Sequence, residues 1–194
     1  VPCVIHVARR LTYTLVNRVL AGDEPFVSDN GDIRPMLDTL RRLREVLRAK
    51  RHRRGSIDFE LPEVKVKLDA DGHPVALEKR TGSIGESIIE ECMLAANETV
   101  ARHMELKEEP FVYRVHETPT SEKIERLQSL LAALGLRLHV DEDGKVRPSD
   151  IQQVLDRVKG QPEERIIGAV ALRSMQQARY STASLGHFGL AARY

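Results

Sequence analysis

Between Pro35 and Arg54 the apolar residues Met36, Leu37, Leu40, Leu43, Val46 and Leu47 recur at three- and four-residue steps. A strand would scatter them over both faces, whereas a helix gathers all six into one stripe. The spacing therefore predicts one long helix. Pro35 falls in its first turn, where a missing N–H is tolerated, and Gly55 closes it. The other faces of this helix are basic: Arg41 to Arg54 holds eight Lys/Arg against one acid, Glu45. Two readings of that charge stay open. It can neutralise the phosphates of a nucleic-acid strand, or it can be the solvated outside of an amphipathic helix. Lys50 to Arg54 favours phosphate contact most, because charge persists there on every face. The whole chain carries a formal net charge of only +1, so the distribution of charge is informative and its total is not.

Around this helix the pattern alternates between the two periods. Thr12 to Leu20 has helical spacing, with Thr12 or Thr14 as its cap, and Ala21 to Gly31 reads as a polar loop. Ser56 to Leu61 is extended. Glu63 to Lys79 alternates Val64, Val66 and Leu68 with polar residues, turns at Asp69, Asp71 and Gly72, and returns through Val75 and Leu77, which is a hairpin. Ile84 to Met104 is a second long helix, with Glu90, Glu91 and Glu98 on its polar sides. Phe111 to His116 reads as a strand, Ser121 to Leu134 as a helix ended by Gly135, and Leu136 to Val140 as a short strand. Pro148 to Lys159 and Glu163 to Gln177 are two more helices. The expected class is α/β (α+β), a mixed sheet flanked by helices, with the two long helices packed on the sheet. No linker divides residues 1–194, which read as part of a single domain. The first segment reads like a strand already under way and the last has no closing signal, so both ends are expected to be interior to a longer fold.

At 194 residues, 41% hydrophobic and 30% charged, the chain has the composition of a globular protein, not a disordered one. Four Tyr, four Phe and no Trp leave the core to Leu, Val, Ile and Ala. Cys3 and Cys92 lack metal-site spacing and form no disulfide framework, which suits a reducing cytoplasm. No apolar run is long enough to span a membrane, and the first residues do not form a signal peptide. The seven histidines include no HExxH pair, and no nucleophile elbow, phosphate loop or dinucleotide fingerprint occurs. DADG and DEDG look like pieces of a calcium loop, but neither continues with the spaced ligands such a loop needs, so both read as turns. Glu90 and Glu91, neighbours on a helix, point about 100° apart and cannot readily address one centre together.

Five collinear segments resemble one family. They are ARRLTYTLVN (Ala8–Asn17), RHRRGSIDFELPE (Arg51–Glu63), SIIEECMLAANETVA (Ser87–Ala101), PFVYRVHETPTSEKIERL (Pro110–Leu127) and LRSMQQARYSTASLGHFGLAARY (Leu172–Tyr194). Each is similar to a stretch of the catalytic (RNB) domain of ribonuclease R/ribonuclease II-type 3′→5′ exoribonucleases. Together they cover nearly the whole chain.

The resemblance implies a cytoplasmic, monomeric parent enzyme. Such an enzyme draws the 3′ end of single-stranded RNA into a channel and releases nucleoside 5′-monophosphates. Mg²⁺ would be held there by aspartates that lie upstream of the matched segments, and an arginine motif contacting the scissile phosphate would follow Tyr194. By this resemblance no catalytic residue or metal ligand is expected within the chain, which alone would be inactive. Three residues match positions that hold the RNA end: Phe59 stacks the terminal bases, Tyr13 positions the last nucleotides, and Glu90 lies near the terminal sugar. Arg51, Arg53 and Arg54 are the expected phosphate contacts. The competing expectation is a catalytically inactive RNA-binding module that uses helix 41–54 and Phe59 without chemistry.

Overall fold

The structure, a computed structural model, describes residues 3–59, 63–80 and 82–193. Seven α-helices and four strands occur among them: α1 Tyr13–Ala21, α2 Phe26–Asp29, α3 Arg34–Arg54, β1 Glu63–Leu68, β2 Pro74–Arg80, α4 Ile84–Leu106, β3 Tyr113–Val115, α5 Ser121–Ala133, α6 Pro148–Val158, α7 Glu164–Ser174 and β4 Arg179–Ser181. A 3-10 turn, Phe188–Leu190, follows β4. No helix among the described residues is long and apolar enough to cross a membrane.

The residues gather into two compact units, Val1–Arg48 with Thr81–Leu94 and Ala49–Arg80 with Ala95–Tyr194. In the first, Thr12 caps α1: its Oγ1 accepts the N–H of Leu15 at 3.2 Å. Val16, Val19 and Leu20 of α1 bury against Leu37 of α3 and Ile88 of α4, with Leu11, Leu15, Phe26, Ile33 and Leu40 around them. Of the stripe that predicts the long helix, Leu37 and Leu40 join this cluster, whereas Met36, Leu43 and Val46 are exposed. The buried residues of this cluster come from helices, so the expected packing of both long helices on a sheet does not describe it. Ala21 to Gly31 is also more ordered than a loop, because Phe26–Asp29 forms a helical turn with Phe26 packed on the cluster.

The second unit is centred on α5, α6 and α7. Ile124, Leu127, Leu131, Ile151, Val154, Val158, Ile167 and Ala171 form its core, joined by Ile57, Met175 and Phe188. Leu127, Leu131, Ile151 and Ile167 are almost fully buried, and each such burial stabilises by about 1.5–3 kcal/mol. The α/β class holds, though its strands are fewer than one broad mixed sheet needs. Among the described residues β1 pairs antiparallel with β2, and β3 antiparallel with β4. A single parallel bridge, His116 to His187, lies beside the second pair.

DADG and DEDG are both turns, built alike. The Oδ1 of Asp69 accepts the N–H of His73 at 2.9 Å, and that of Asp141 accepts the N–H of Lys145 at 2.6 Å. After the second of these turns the chain enters α6, and Leu136 to Val140 before it is irregular, not a strand. Leu136, Leu138 and Val140 instead pack on the helical core, with no strand partner among the described residues.

Candidate nucleic-acid interface

Tyr13 opens α1 and is about half exposed, at 47%. Its ring lies beside Gly85, whose N–H donates to Oδ1 of Asn17 at 2.9 Å and so ties the first turn of α4 to α1. Five residues further along α4, Glu90 is exposed while Glu91 is buried at 3%. The expectation that both acids sit on polar sides of the helix is thus corrected for Glu91. A hundred degrees of helical rotation separates a carboxylate open to a ligand from one turned into the protein.

The arginines of the RHRRGSIDF segment divide into two kinds. Arg51 is buried, donating to Oγ of Ser56 at 3.2 Å and to Oδ1 of Asp58 at 2.7 Å. Arg54 grips both carboxylate oxygens of Glu98, at 2.6 and 2.7 Å, and also donates to the carbonyl of Leu190 at 3.0 Å. Arg53 is exposed and has no partner among the described residues, and Lys50 and His52 are exposed beside it. Of the three arginines expected at phosphates, only Arg53 presents its guanidinium to solvent without a protein partner. Arg51 and Arg54 are held by carboxylates within the fold.

What those two arginines hold is the turn from helix to extended chain. Gly55 has φ +95°, and a Cβ there would come within 3.0 Å of the Ser149 side chain, so the corner requires glycine. Beyond it Ser56 is fully buried, and the Ile57 N–H donates to the Gly189 carbonyl at 2.8 Å. The Asp58 N–H donates to Oε1 of Gln152 at 2.7 Å, and Gln152 in turn donates to Asp156 at 2.7 Å. Three consecutive residues are therefore pinned, and Phe59 follows, half-buried against the α5–α7 core. A ring in that setting has one side packed and part of its surface open. The residues that pin Phe59, Gln152 and Gly189 above all, carry no signal in their local sequence, because their contacts cross 94 and 132 positions of chain.

A different pair of titratable side chains lies at the end of β3. His116 and His187 meet edge to face with ring centroids 4.9 Å apart. Burial lowers the pKa of His187 to about 4, helped by repulsion from His116 when that ring is protonated and from Arg114. Burial also lowers that of His116, against an opposing pull from the Gln176 backbone. Both rings are accordingly neutral near pH 7.

Among the described residues one group of three side chains lies close enough to share a metal ion: Asp69, Asp71 and His73, all exposed in the β1–β2 turn. Oδ1 of Asp69 already accepts two backbone N–H groups there, from Asp71 and His73, each at 2.9 Å. The turn explains this arrangement, and it does not fit the octahedral oxygen cage that Mg²⁺ requires.

Comparison with known proteins agrees with this architecture. The family model for the RNB domain matches residues 1–194. Ribonuclease R 1 of Lactococcus lactis is 40% identical over 189 residues, covering 97% of this chain and 23% of its own length. Ribonuclease R of Escherichia coli is 37% identical over 182 residues, covering 94% of this chain and 22% of its own. The structure of Mycoplasma genitalium RNase R in complex with ribose methylated single-stranded RNA superposes with a TM-score of 0.81 at 27% identity. It covers 93% of this chain and 28% of that one. The same enzyme in complex with double-stranded RNA gives a TM-score of 0.80. The chain belongs to the RNB domain family, and it spans about a quarter of the length of the relatives it matches.

Proposed function

We propose that this chain is the RNA-gripping part of a 3′→5′ exoribonuclease that hydrolyses single-stranded RNA to nucleoside 5′-monophosphates. The observation that carries the reading is the pinned Ser56–Phe59 segment within a chain that matches the RNB family throughout. A processive degrader needs a grip that ignores sequence. An aromatic ring provides one, because every base has a face to stack on it. The relative's complexes with single- and double-stranded RNA support RNA as the polymer.

In this reading Phe59 stacks a base near the 3′ end, and Tyr13 positions the last nucleotides. Glu90 accepts from a ribose 2′-hydroxyl, one physical means of preferring RNA over DNA. Arg53, with Lys50, neutralises phosphates, whereas Arg51 and Arg54 hold the corner that carries Phe59. A divalent cation, Mg²⁺ in the family reading, would supply activation of water at the scissile phosphate. Among the described residues the one clustered set of acids, Asp69 and Asp71 with His73, is taken up by the β1–β2 turn.

The test uses the full-length protein, labelled single-stranded RNA and Mg²⁺. Release of mononucleotides from the 3′ end, abolished by EDTA, is the expected result. RNA binding without metal-dependent release would instead make the protein a binding module. Phe59→Ala should weaken the Kd for short oligonucleotides by about 1–3 kcal/mol. Because the ring is only half-buried, the accompanying fall in Tm should be smaller than that of a buried core truncation such as Leu131→Ala. An unchanged Kd would remove Phe59 from the interface.

A further inference from the structure

The turn at residues 186–192 is bound twice to His116, the residue after β3, and is closed on itself by a pair of bonds between His187 and Ala192. The His116 N–H donates to the Gly186 carbonyl at 3.1 Å, and the Phe188 N–H to the His116 carbonyl at 2.8 Å. His187 and Ala192 exchange N–H to carbonyl bonds at 2.8 and 3.1 Å. Within this frame each imidazole accepts one peptide N–H. Nδ1 of His116 takes that of Gly189 at 3.2 Å, and Nδ1 of His187 takes that of Leu190 at 3.3 Å. An acceptor Nδ1 carries no proton, so both rings must be the neutral Nε2–H tautomer. A side chain at Gly189 would exclude this arrangement, since its Cβ would lie 3.1 Å from Nδ1 of His116.

The other side of the same peptide groups faces Arg54 and Ile57. The N–H of Leu190 and the carbonyl of Gly189 belong to one peptide plane. Its N–H is held by His187 while its carbonyl accepts the N–H of Ile57 at 2.8 Å. The next carbonyl, that of Leu190, receives the Arg54 guanidinium. A ring nitrogen, one peptide and Ile57 thus form a short hydrogen-bonded chain in which each bond polarises the next. Phe59 lies two residues beyond its end.

We propose that His116 and His187 are positioning residues for RNA: as neutral acceptors they hold two successive peptides, His116 that of Phe188–Gly189 and His187 that of Gly189–Leu190, and the second fixes the Ile57–Phe59 segment against which the RNA base stacks. The RNA part of this statement rests on the function proposed above, and the anchoring part does not. Neither imidazole touches the RNA. Their Nδ1 atoms act through the backbone, so another acceptor at the same position should serve. Asparagine offers one, because its Oδ1 hangs from Cγ as Nδ1 does, whereas leucine keeps the bulk and offers none.

The experiment compares His187→Leu and His187→Asn in the full-length protein, each with and without Phe59→Ala. It measures hydrogen exchange at the Ile57 amide and Kd for a short single-stranded oligoribonucleotide. His187→Leu should speed Ile57 exchange and weaken RNA binding about fivefold, the worth of one lost hydrogen bond. His187→Asn should restore both, and in the Phe59→Ala background His187→Leu should cost no further affinity. Unchanged Ile57 exchange in His187→Leu would overturn the proposal, as would a His187→Asn variant as impaired as His187→Leu. An undiminished fivefold loss in the Phe59→Ala background would overturn the route through Phe59. If Phe59→Ala alone leaves affinity unchanged while Ile57 exchange responds as expected, base stacking falls and the anchor stands.

Discussion

At the residue scale, two side chains that look alike in sequence do opposite things. Arg51 and Arg53 sit two positions apart in one basic run, yet Arg51 is buried on Asp58 and Arg53 faces water. Arg53→Ala should therefore weaken RNA binding uniformly across sequences and reduce the salt slope of log K by about one, with Tm nearly unchanged. Arg51→Ala leaves Asp58 without its arginine and should show mainly as lost stability. The histidines yield a pH prediction with a definite sign. His187 is held neutral in the fold, with its pKa down to about 4 by burial and by repulsion from His116 when that ring is protonated and from Arg114, against Glu98. An unfolded histidine titrates near 6.5, so between those values the unfolded chain takes up the proton that the fold refuses. Stability from this site is whole above about pH 6.5 and erodes as the pH falls toward 4. Urea midpoints measured across that window should fall less steeply for His187→Asn, which cannot titrate, than for the wild type. Parallel slopes would show that His187 is not responsible.

Among the elements, the decisive one is the corner between α3 and the extended Ser56–Phe59 segment. Helical periodicity carries α3 to Arg54, and Gly55 ends it with a left-handed φ that other residues adopt only at a cost. Gly55→Ala combines that strain with a 3.0 Å approach to Ser149. It should cost about 1–3 kcal/mol, read as a lower denaturation midpoint, and it should also weaken oligonucleotide binding, because Phe59 hangs from the same corner. A Gly55→Ala protein of wild-type stability would mean that the corner relaxes elsewhere. Elements with a clean local signal match their expectation well: α1 with its Thr12 cap, the hairpin about Asp69–Gly72, and α5 ending before Gly135. The misreadings have physical reasons. Phe26–Asp29 is too short to show a period, and it forms because Phe26 has a cluster to pack on. Leu136 to Val140 alternates like a strand, yet no strand among the described residues offers it a ladder, so only its apolar side is used.

For the whole molecule, the described acids make no metal site beyond an exposed turn whose carboxylate is already engaged by backbone. We propose that the 194-residue polypeptide by itself binds short RNA but does not shorten it. Incubation with labelled single-stranded RNA and Mg²⁺, with an EDTA control, measures this directly. EDTA-sensitive shortening from the 3′ end would place a functional metal site within these residues.

Most of the order of helices and strands, the basic run and the family were legible in the linear chain, but α2, β4 and the irregular path of Leu136 to Val140 were not. What was legible depends on neighbours within a few residues or on a motif read in register. Which arginine meets solvent, which of Glu90 and Glu91 turns inward, and what holds Phe59 were decided only by tertiary structure. Those outcomes rest on contacts such as Asp58 with Gln152, Arg54 with Glu98, and Ile57 with Gly189. Hydrogen bonds of this kind join residues far apart in sequence, and they exist only once burial of the α5–α7 core has brought those residues together.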